Sequence, residues 1–305
     1  MSQDFKPGKY FKPKDQKEVS ALLNEYGEKA RIIAGGTGIY ELAHRGLLSE
    51  VEALIDISSL GLSYIRDARE NDGSNSLHIG ACTTMSSLAR SKDIVGSPEL
   101  AALSDALKLI QPLQVKNVAT IAGAVCTALP FFDLPVALIT LDASVRLAPR
   151  NRVKKISDFI LGYFAIELSR DEFVEEIIIP KGSKRAASAF QKFGLTGDDW
   201  ALINCGAYVE LKESTIELAR LCFGGGVGEK PKRIRSLEDS LAGFKPNEDG
   251  AEEKIRLLFE EKLEDDGLET ISDIRASSEY RARLANVLGR RALLQAFERV
   301  KELSS

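Results

Sequence analysis

The sequence predicts an α+β protein built from three successive units. Helix and strand patterns alternate between Pro13 and Ile57. A hairpin pattern then gives way to helices and an apolar run that ends in a strand at Pro180. Three strand patterns between Ala187 and Phe223 precede three helices at the C-terminus. The chain has 305 residues, 44% hydrophobic and 28% charged. That is a globular composition, long enough for two or three domains of roughly 100–150 residues.

Residues 13–26 read as a helix. Asp15 is placed to cap it, Glu18 follows as capping partner, and Val19, Leu22 and Leu23 form the stripe to be buried. A strand at Arg31–Ala34, a glycine turn, a short helix near Tyr40–Arg45 and a strand at Ala53–Ile57 complete a first unit, residues 1–61. In the second, residues 62–182, Leu62–Arg66 and Leu77–Ala81 predict a hairpin around the turn-rich Glu70–Ser76. Helices at Ser86–Ser91 and Pro98–Ile110 follow, then an apolar run at Asp133–Ala143 and strands at Ser144–Ala148 and Phe173–Pro180. Pro180–Arg185 reads as a linker. The third unit, residues 183–305, has strands at Ala187–Phe193, Ala201–Leu211 and Thr215–Phe223 and a turn at Gly224–Gly228. Helices near Leu237–Ala242, Glu252–Glu261 and Ser278–Lys301 close it. The last should bury Leu284, Leu288, Leu294 and Phe297, with arginines on its other faces.

Several function classes are excluded. Net charge is −4 with both signs interspersed, so no basic stripe marks a nucleic-acid partner. The opening Met1-Ser-Gln-Asp-Phe-Lys6 lacks the apolar core of a signal peptide, and no run of about 18 apolar residues could span a membrane. The expected location is the cytoplasm. Cys82, Cys126, Cys205 and Cys222 are scattered in apolar segments without metal-ligand spacing and read as buried thiols. His78 lies in an alternating strand and reads as structural; the only other histidine is His44. No nucleophile motif or telling carboxylate pair is present. Any redox chemistry must be carried by a cofactor.

The most informative stretch is Arg31-Ile-Ile-Ala-Gly-Gly-Thr-Gly-Ile39. Glycines crowd together where backbone N–H groups must approach an anionic ligand closely. Alone, the pattern fits a tight strand-to-helix turn equally well. A second such segment, Thr120-Ile-Ala-Gly-Ala124, also lies beside an apolar run. Two such segments on one chain point to a diphosphate held between them.

Six motifs then occur in one order. Ala34-Gly-Gly-Thr-Gly-Ile39 is followed by Ile79-Gly-Ala-Cys-Thr-Thr84 and Val115-Lys-Asn-Val-Ala-Thr-Ile-Ala-Gly-Ala124. Pro130-Phe-Phe-Asp133 comes next, then Phe190-Gln-Lys192 with Asp199-Trp-Ala201, and Ser278-Glu-Tyr-Arg281 with Arg290-Arg-Ala292. In these the chain resembles the FAD-binding medium subunit of molybdenum hydroxylases, the group of carbon monoxide dehydrogenase and xanthine dehydrogenase flavin subunits. The resemblance runs from Tyr10 to about Leu303. It implies two subdomains that hold FAD between them, in the arrangement of vanillyl-alcohol-oxidase-type (PCMH-type) flavoproteins, and a C-terminal α+β domain alongside. It also implies a large molybdopterin-binding partner and a small partner with 2Fe–2S clusters, assembled as a dimer of heterotrimers. In that setting the chain would pass electrons from the clusters to an external acceptor. The alternative is a degenerate structural subunit with weak or no FAD binding.

The resemblance also implies roles. Backbone N–H groups of Ala34, Gly35, Gly36, Thr37, Gly38 and Ile39 would cradle the diphosphate, with the Thr37 hydroxyl as a further donor. Thr120, Ala122, Gly123 and Ala124 would close from the other subdomain, and Thr84 would add a contact. Asp133 would accept from a ribose hydroxyl. Lys192 and Asp199 would lie near the flavin, although Lys192 also reads as a solvated strand lysine. The chain departs from the family at Gly38, where an aspartate is usual, at Ala122 (glycine), at Ala124 (asparagine) and at Lys116 (arginine). At Ala122 the added methyl costs little if φ is negative and about 1 kcal/mol or more if φ is positive.

Overall fold

Three sheets of three to five strands, with a small two-stranded one beside the second, carry the described residues, each built from one consecutive stretch of sequence. The computed structural model describes residues 5–70, 72–265 and 267–303. The opening Met1–Asp4 and Asn71 of the hairpin turn lie outside them.

The first stretch holds β1 (Lys9–Phe11), α1 (Gln16–Tyr26), β2 (Ala30–Ile33), α2 (Thr37–His44) and β3 (Ala53–Asp56). The strands pair in parallel in the order β1-β3-β2, with Lys9 and Ala30 on either side of Ala53. Asp15 stands outside α1 in an extended conformation and accepts from Glu18 N at 2.9 Å, which delays the helix to Gln16. Glu18 reaches back to Lys14 N at 2.7 Å. Val19 and Leu23 seal the helix against Ile55 and Ile57. At three residues, β1 is too short to show a period.

The second stretch begins with the antiparallel hairpin β4 (Ile65–Arg69) and β5 (Asn75–Gly80). Its first strand starts later than the pattern predicts. Leu62 meets the hairpin only through a carbonyl that accepts from Cys82 N at 2.8 Å, and Gly80 leaves room for that carbonyl. Next come α3 (Met85–Arg90), α4 (Ala101–Leu109), α5 (Leu113–Val118), α6 (Ile121–Thr127) and α7 (Asp133–Thr140). They are followed by β6 (Ser144–Ala148), β7 (Arg152–Lys155), α8 (Ile156–Phe159), β8 (Ile160–Gly162), β9 (Ala165–Ile166) and β10 (Phe173–Pro180). The main sheet is antiparallel in the order β4-β5-β10-β6-β7. The edge strand β7 reads Arg-Val-Lys-Lys, with Val153 exposed, so no apolar alternation announces it.

The third stretch forms an antiparallel sheet of β11 (Ala186–Phe193), β12 (Ile203–Lys212), β13 (Thr215–Gly225) and β14 (Lys232–Arg233). The helices α9 (Arg235–Ser240), α10 (Ala251–Asp265) and α11 (Ser278–Glu302) follow. Both faces of this sheet are covered, so β12 is buried at nearly every position rather than at alternate ones. Phe190, Tyr208 and Cys222 join the core of the second stretch, beneath α4 and α7. Ala189, Ala207, Val209 and Phe223 pack under α11 with Phe259 of α10. Arg299 locks α11 to α4, donating to Asp105 at 2.6 Å and to the Ser188 carbonyl at 2.7 Å.

Helix α11 buries Leu288 and Phe297 as expected, but Leu284 and Leu294 only partly. Ala285, Ala292, Leu293, Ala296 and Val300 take the remaining apolar core positions. Arg281 corrects the expectation of outward arginines, because it is 0% exposed. Its guanidinium donates to Ile271 O at 2.6 Å and pairs with Asp273 at 2.7 Å.

Gly289 is where α11 meets the sheet. A Cβ there would lie 2.5 Å from the Phe259 ring and 2.8 Å from the Phe223 ring, both fully buried. Gly289→Ala therefore sets a helix-propensity gain of about 1 kcal/mol against an overpacking cost of about 1–3 kcal/mol. The overlap with two rings should win, and denaturant unfolding should show a net loss.

Candidate functional site

The first glycine segment occupies the turn between β2 and α2. Gly36 is the N-cap of α2 at φ 76°, so the helix starts at Thr37, earlier than the pattern predicts. First-turn N–H groups have no acceptor within a helix. Among the described residues, no protein acceptor meets the N–H groups of Gly35, Gly36, Thr37, Gly38 and Ile39. All of Ala34–Ile39 are half-buried. The result is a row of accessible donors at the positive end of a helix dipole, a fit to an anionic group.

The three glycines answer three demands. At Gly36 a Cβ would meet only the Ile33 side chain, at 3.6 Å, so the positive φ is what requires glycine. At Gly35 a Cβ would collide with the Val118 carbonyl, and at Gly38 with the Thr127 hydroxyl. Those two positions let the turn press directly onto α5 and α6.

The second glycine segment is not a loop. Thr120 caps α6, accepting from Gly123 N at 3.2 Å, and its carbonyl accepts from Ala124 N at 3.0 Å. Ile121 N donates to Thr83 O at 3.1 Å. Thr84 likewise caps α3, accepting from Ser87 N at 3.2 Å, and bridges to Thr120. The expectation that Thr120–Ala124 closes over a diphosphate with backbone donors is therefore revised, since most of those donors are engaged within the chain. Ala122 and Ala124 are buried in α6. Ala122 is absent from the positive-φ residues, so its methyl falls in the inexpensive case.

Asp133 opens α7 and is 5% exposed. Lys192 Nζ donates to its Oδ2 at 2.8 Å and Asn204 Nδ2 to its Oδ1 at 2.8 Å. Burial holds the Asp133 carboxyl above the usual carboxylate range, and the Lys192 ammonium and Asn204 amide offset this only in part. Both oxygens are thus held from inside the protein. Asp133 is a buried counter-ion here rather than an open acceptor for a ribose, and Lys192 is not a solvated lysine. Asp199 does not join them; its Oδ2 accepts from Thr196 N at 3.0 Å and closes the turn after β11. Sequence reasoning missed Asn204, whose signal is a lone amide inside an otherwise apolar strand.

An aromatic stack was also missed. Trp200 lies parallel to Phe131, with centroids 6.2 Å apart and planes at 3°. The Arg45 guanidinium covers Trp200 at 5.3 Å, and that of Arg275 covers Phe131 at 4.4 Å. The other polar candidates are structural. His78 is held between Glu70 at 2.6 Å and Glu176 at 2.9 Å inside its sheet. The cysteines are free thiols, and burial pushes Cys82 up to about 11 and Cys126 up to about 12.

A parallel three-stranded unit and an antiparallel five-stranded unit, joined at an N–H-lined glycine turn, define a two-part cofactor-binding fold. Residues 3–182 match the family model described as the FAD binding domain in molybdopterin dehydrogenase, and residues 188–296 match the CO dehydrogenase flavoprotein C-terminal domain. The glyceraldehyde dehydrogenase medium chain of Sulfolobus acidocaldarius is 30% identical over 288 residues, 93% of this chain and 96% of that one. The carbon monoxide dehydrogenase medium chain of Hydrogenophaga pseudoflava is 27% identical over 296 residues, covering 95% and 97%. A solved structure of that organism's carbon monoxide dehydrogenase, lacking the Mo-pyranopterin moiety, superposes with a TM-score of 0.85 over 96% of this chain and 98% of its own, at 27% identity. The chain belongs to the FAD-binding medium-subunit family of molybdenum hydroxylases, and it is an oxidoreductase component. Among the described residues no helix is long and apolar enough to cross a membrane.

The buried Asp133–Lys192 pair gives a testable energetic signature. Asp133→Asn or Lys192→Met alone strands one buried partner and should cost about 3–5 kcal/mol. The double variant keeps an acceptor for Asn204 and should recover most of that loss. Urea unfolding of the four proteins measures this directly; additive losses would mean that the two groups are not coupled.

Proposed function

We propose that this chain is the flavin-bearing electron-transfer subunit of a molybdopterin-dependent dehydrogenase. Electrons taken from a substrate at the molybdenum centre of a large partner would pass through 2Fe–2S clusters of a small partner to FAD held here, then to an external acceptor. The observation that carries this reading is the row of unpartnered N–H groups from Gly35 to Ile39 at the start of α2. Their spacing on a half-buried turn suits the diphosphate of a dinucleotide, with Thr37 adding a hydroxyl. FAD supplies the exchange of electrons singly or in pairs. Lys192 would lie near the flavin, its ammonium held by Asp133, which Asn204 holds in turn. Ile39, itself only partly buried, packs against the small cluster of Leu48, Val51 and Leu54.

The proposed partner chains are consistent with the side chains of this one. Its four cysteines are scattered free thiols, and among the described residues no group of three His, Cys, Asp or Glu side chains could hold a metal. In this reading electrons arrive across an interface. A dimer of heterotrimers in the cytoplasm is the assembly we propose. One observation favours a second reading, a bracing subunit with weak or no flavin: the donors of Thr120–Ala124 are spent on helix capping. Flavin content separates the two.

The purified chain should show the visible absorbance of an oxidised flavin and release it fully as FAD on acid or heat denaturation. Gly36→Val forces a β-branched residue into positive φ, at a cost of about 1–3 kcal/mol, and re-aims the N–H row. It should lose flavin and keep its circular dichroism. A Gly36→Val protein with full flavin content would place the cradle elsewhere.

Copurification from the host should also bring down two chains carrying molybdenum and iron. Turnover of an aldehyde, a purine or CO by the isolated 305-residue chain would contradict the subunit reading.

A further inference from the structure

The link between the second and third stretches of chain runs over residues 181–185, after β10 and before β11. Both of its ends are pinned. Lys181 N donates to Asn75 O at 2.9 Å, and the Lys181 ammonium pairs with Asp67 at 2.6 Å. At the far end the Arg185 carbonyl accepts from Leu211 N at 3.0 Å. The middle is held by two carboxylates. Gly182 N donates to the side chain of Glu99, which lies just before α4, and Ser183 N donates to Glu210 Oε1 of β12 at 3.1 Å. Each of the two units that the link connects thus contributes one carboxylate to it.

Neither carboxylate is free to move away. The Glu99 carbonyl accepts from Ser188 Oγ at 2.6 Å, and Ser188 N donates to Pro98 O at 2.8 Å, so the backbone around Glu99 is tied to β11. The Tyr208 hydroxyl donates to Glu210 Oε2 at 3.3 Å. A Cβ at Gly182 would collide with that hydroxyl, so the link lies directly on it. The nearby cations are engaged elsewhere, Lys181 with Asp67 and Arg220 over the face of Tyr208, 4.5 Å from its centroid. Among the described residues, the donors that reach these two half-buried carboxylates are N–H and O–H groups, not cations.

Burial holds the Glu99 carboxyl above the usual carboxylate range, and Glu210 adds to this; the Gly182 N–H, Lys181 and Arg220 offset it only in part. The ionised form is therefore the costly one in the folded chain. A carboxyl whose folded value exceeds its unfolded value adds stability at low pH and loses it as pH rises through the folded value. A protonated Glu99 keeps a carbonyl oxygen for Gly182 N and carries its proton on the other oxygen. The hydrogen bond to the link survives, and the repulsion between Glu99 and Glu210 is removed.

We infer that Glu99 and Glu210 form an acid-tightened clasp on the link between the FAD-binding unit and the C-terminal unit. The proton is taken up at Glu99, and the clasp is looser when that group is ionised. It does not depend on bound flavin.

The test is amide exchange of the full-length chain, corrected for the intrinsic pH dependence of exchange and read in the peptide spanning residues 181–186. Between about pH 7.5 and about pH 5 exchange there should slow about three- to tenfold, the size expected when a like charge is removed from a half-buried site. Glu99→Gln keeps an acceptor without the charge. At neutral pH it should already exchange at the slow rate, and acidification should change it no further. Trypsin cleavage after Lys181, Lys184 and Arg185 at neutral pH should slow by the same factor. Glu210→Gln should likewise flatten the pH response. Glu99→Ala leaves Gly182 N without its acceptor and should exchange faster than the wild type at both pH values. Wild-type exchange that quickens or stays constant on acidification would overturn the inference. So would a Glu99→Gln link that exchanges at neutral pH as fast as the wild type or faster. If a variant fails to fold, the wild-type pH series decides alone.

Discussion

The architecture depends on one steric constraint: at Gly35 and Gly38 there is no Cβ. The Val118 carbonyl and the Thr127 hydroxyl occupy the space that side chains would fill. This lets the turn after β2 lie directly on α5 and α6, beside a hydrophobic junction in which Ala148 and Phe173 of the five-stranded sheet pack with Val19, Ile55 and Ile57 of the first stretch. Meeting that closely leaves the neighbouring N–H groups half-buried yet unclaimed. Such groups are costly without a partner and are well suited to a multiply charged one. The same contact leaves these donors side by side at the junction, the geometry on which the proposed cradle rests.

The remainder of the chain stiffens this junction. Burying both faces of the β11–β14 sheet requires small residues where helices approach, and Ala189, Gly206 and Ala207 provide them. Asp133, the first residue of α7, then faces Lys192 and Asn204 on that sheet. A buried ion pair adds little net stability over an apolar contact, but it tolerates few alternative geometries. Its contribution here is to fix where α7 starts, and hence where Phe131 and Phe132 just before it lie. Through Phe131 and Trp200 that fixed point reaches Arg45 and α2.

Most of the fold was legible in sequence because its long strands are apolar runs bounded by turn residues and α11 carries a helical apolar stripe. Phe173–Pro180 appears as predicted, and β11, β12, β13 and α11 shift only at their ends. What escaped lacked a period: the three residues of β1 and the charged edge strand β7. The site divided differently. The first glycine turn was readable because Gly36 alone announces a conformation. The second misled, since Thr-Ile-Ala-Gly-Ala fits an N-capped helix as well as a loop, and only tertiary contacts decide between them. Asp133 and Lys192 were selected individually, but nothing along the chain says that residues 133, 192 and 204 share one buried cluster. The stack of Arg45, Trp200, Phe131 and Arg275 escaped for the same reason, because its members come from four separated segments.

This division changes what the departures at the second segment mean. If both glycine segments cradled a ligand, Ala122 and Ala124 would each take away donor geometry or a polar contact from it. Inside α6 they do neither. Their φ angles are helical, their methyls are buried, and alanine is the residue that helices accept most readily. The substitutions therefore firm the wall against which Gly35 and Gly38 press. On the flavin reading proposed above, affinity for the cofactor's diphosphate would rest on the segment from Gly35 to Ile39 rather than on both glycine segments.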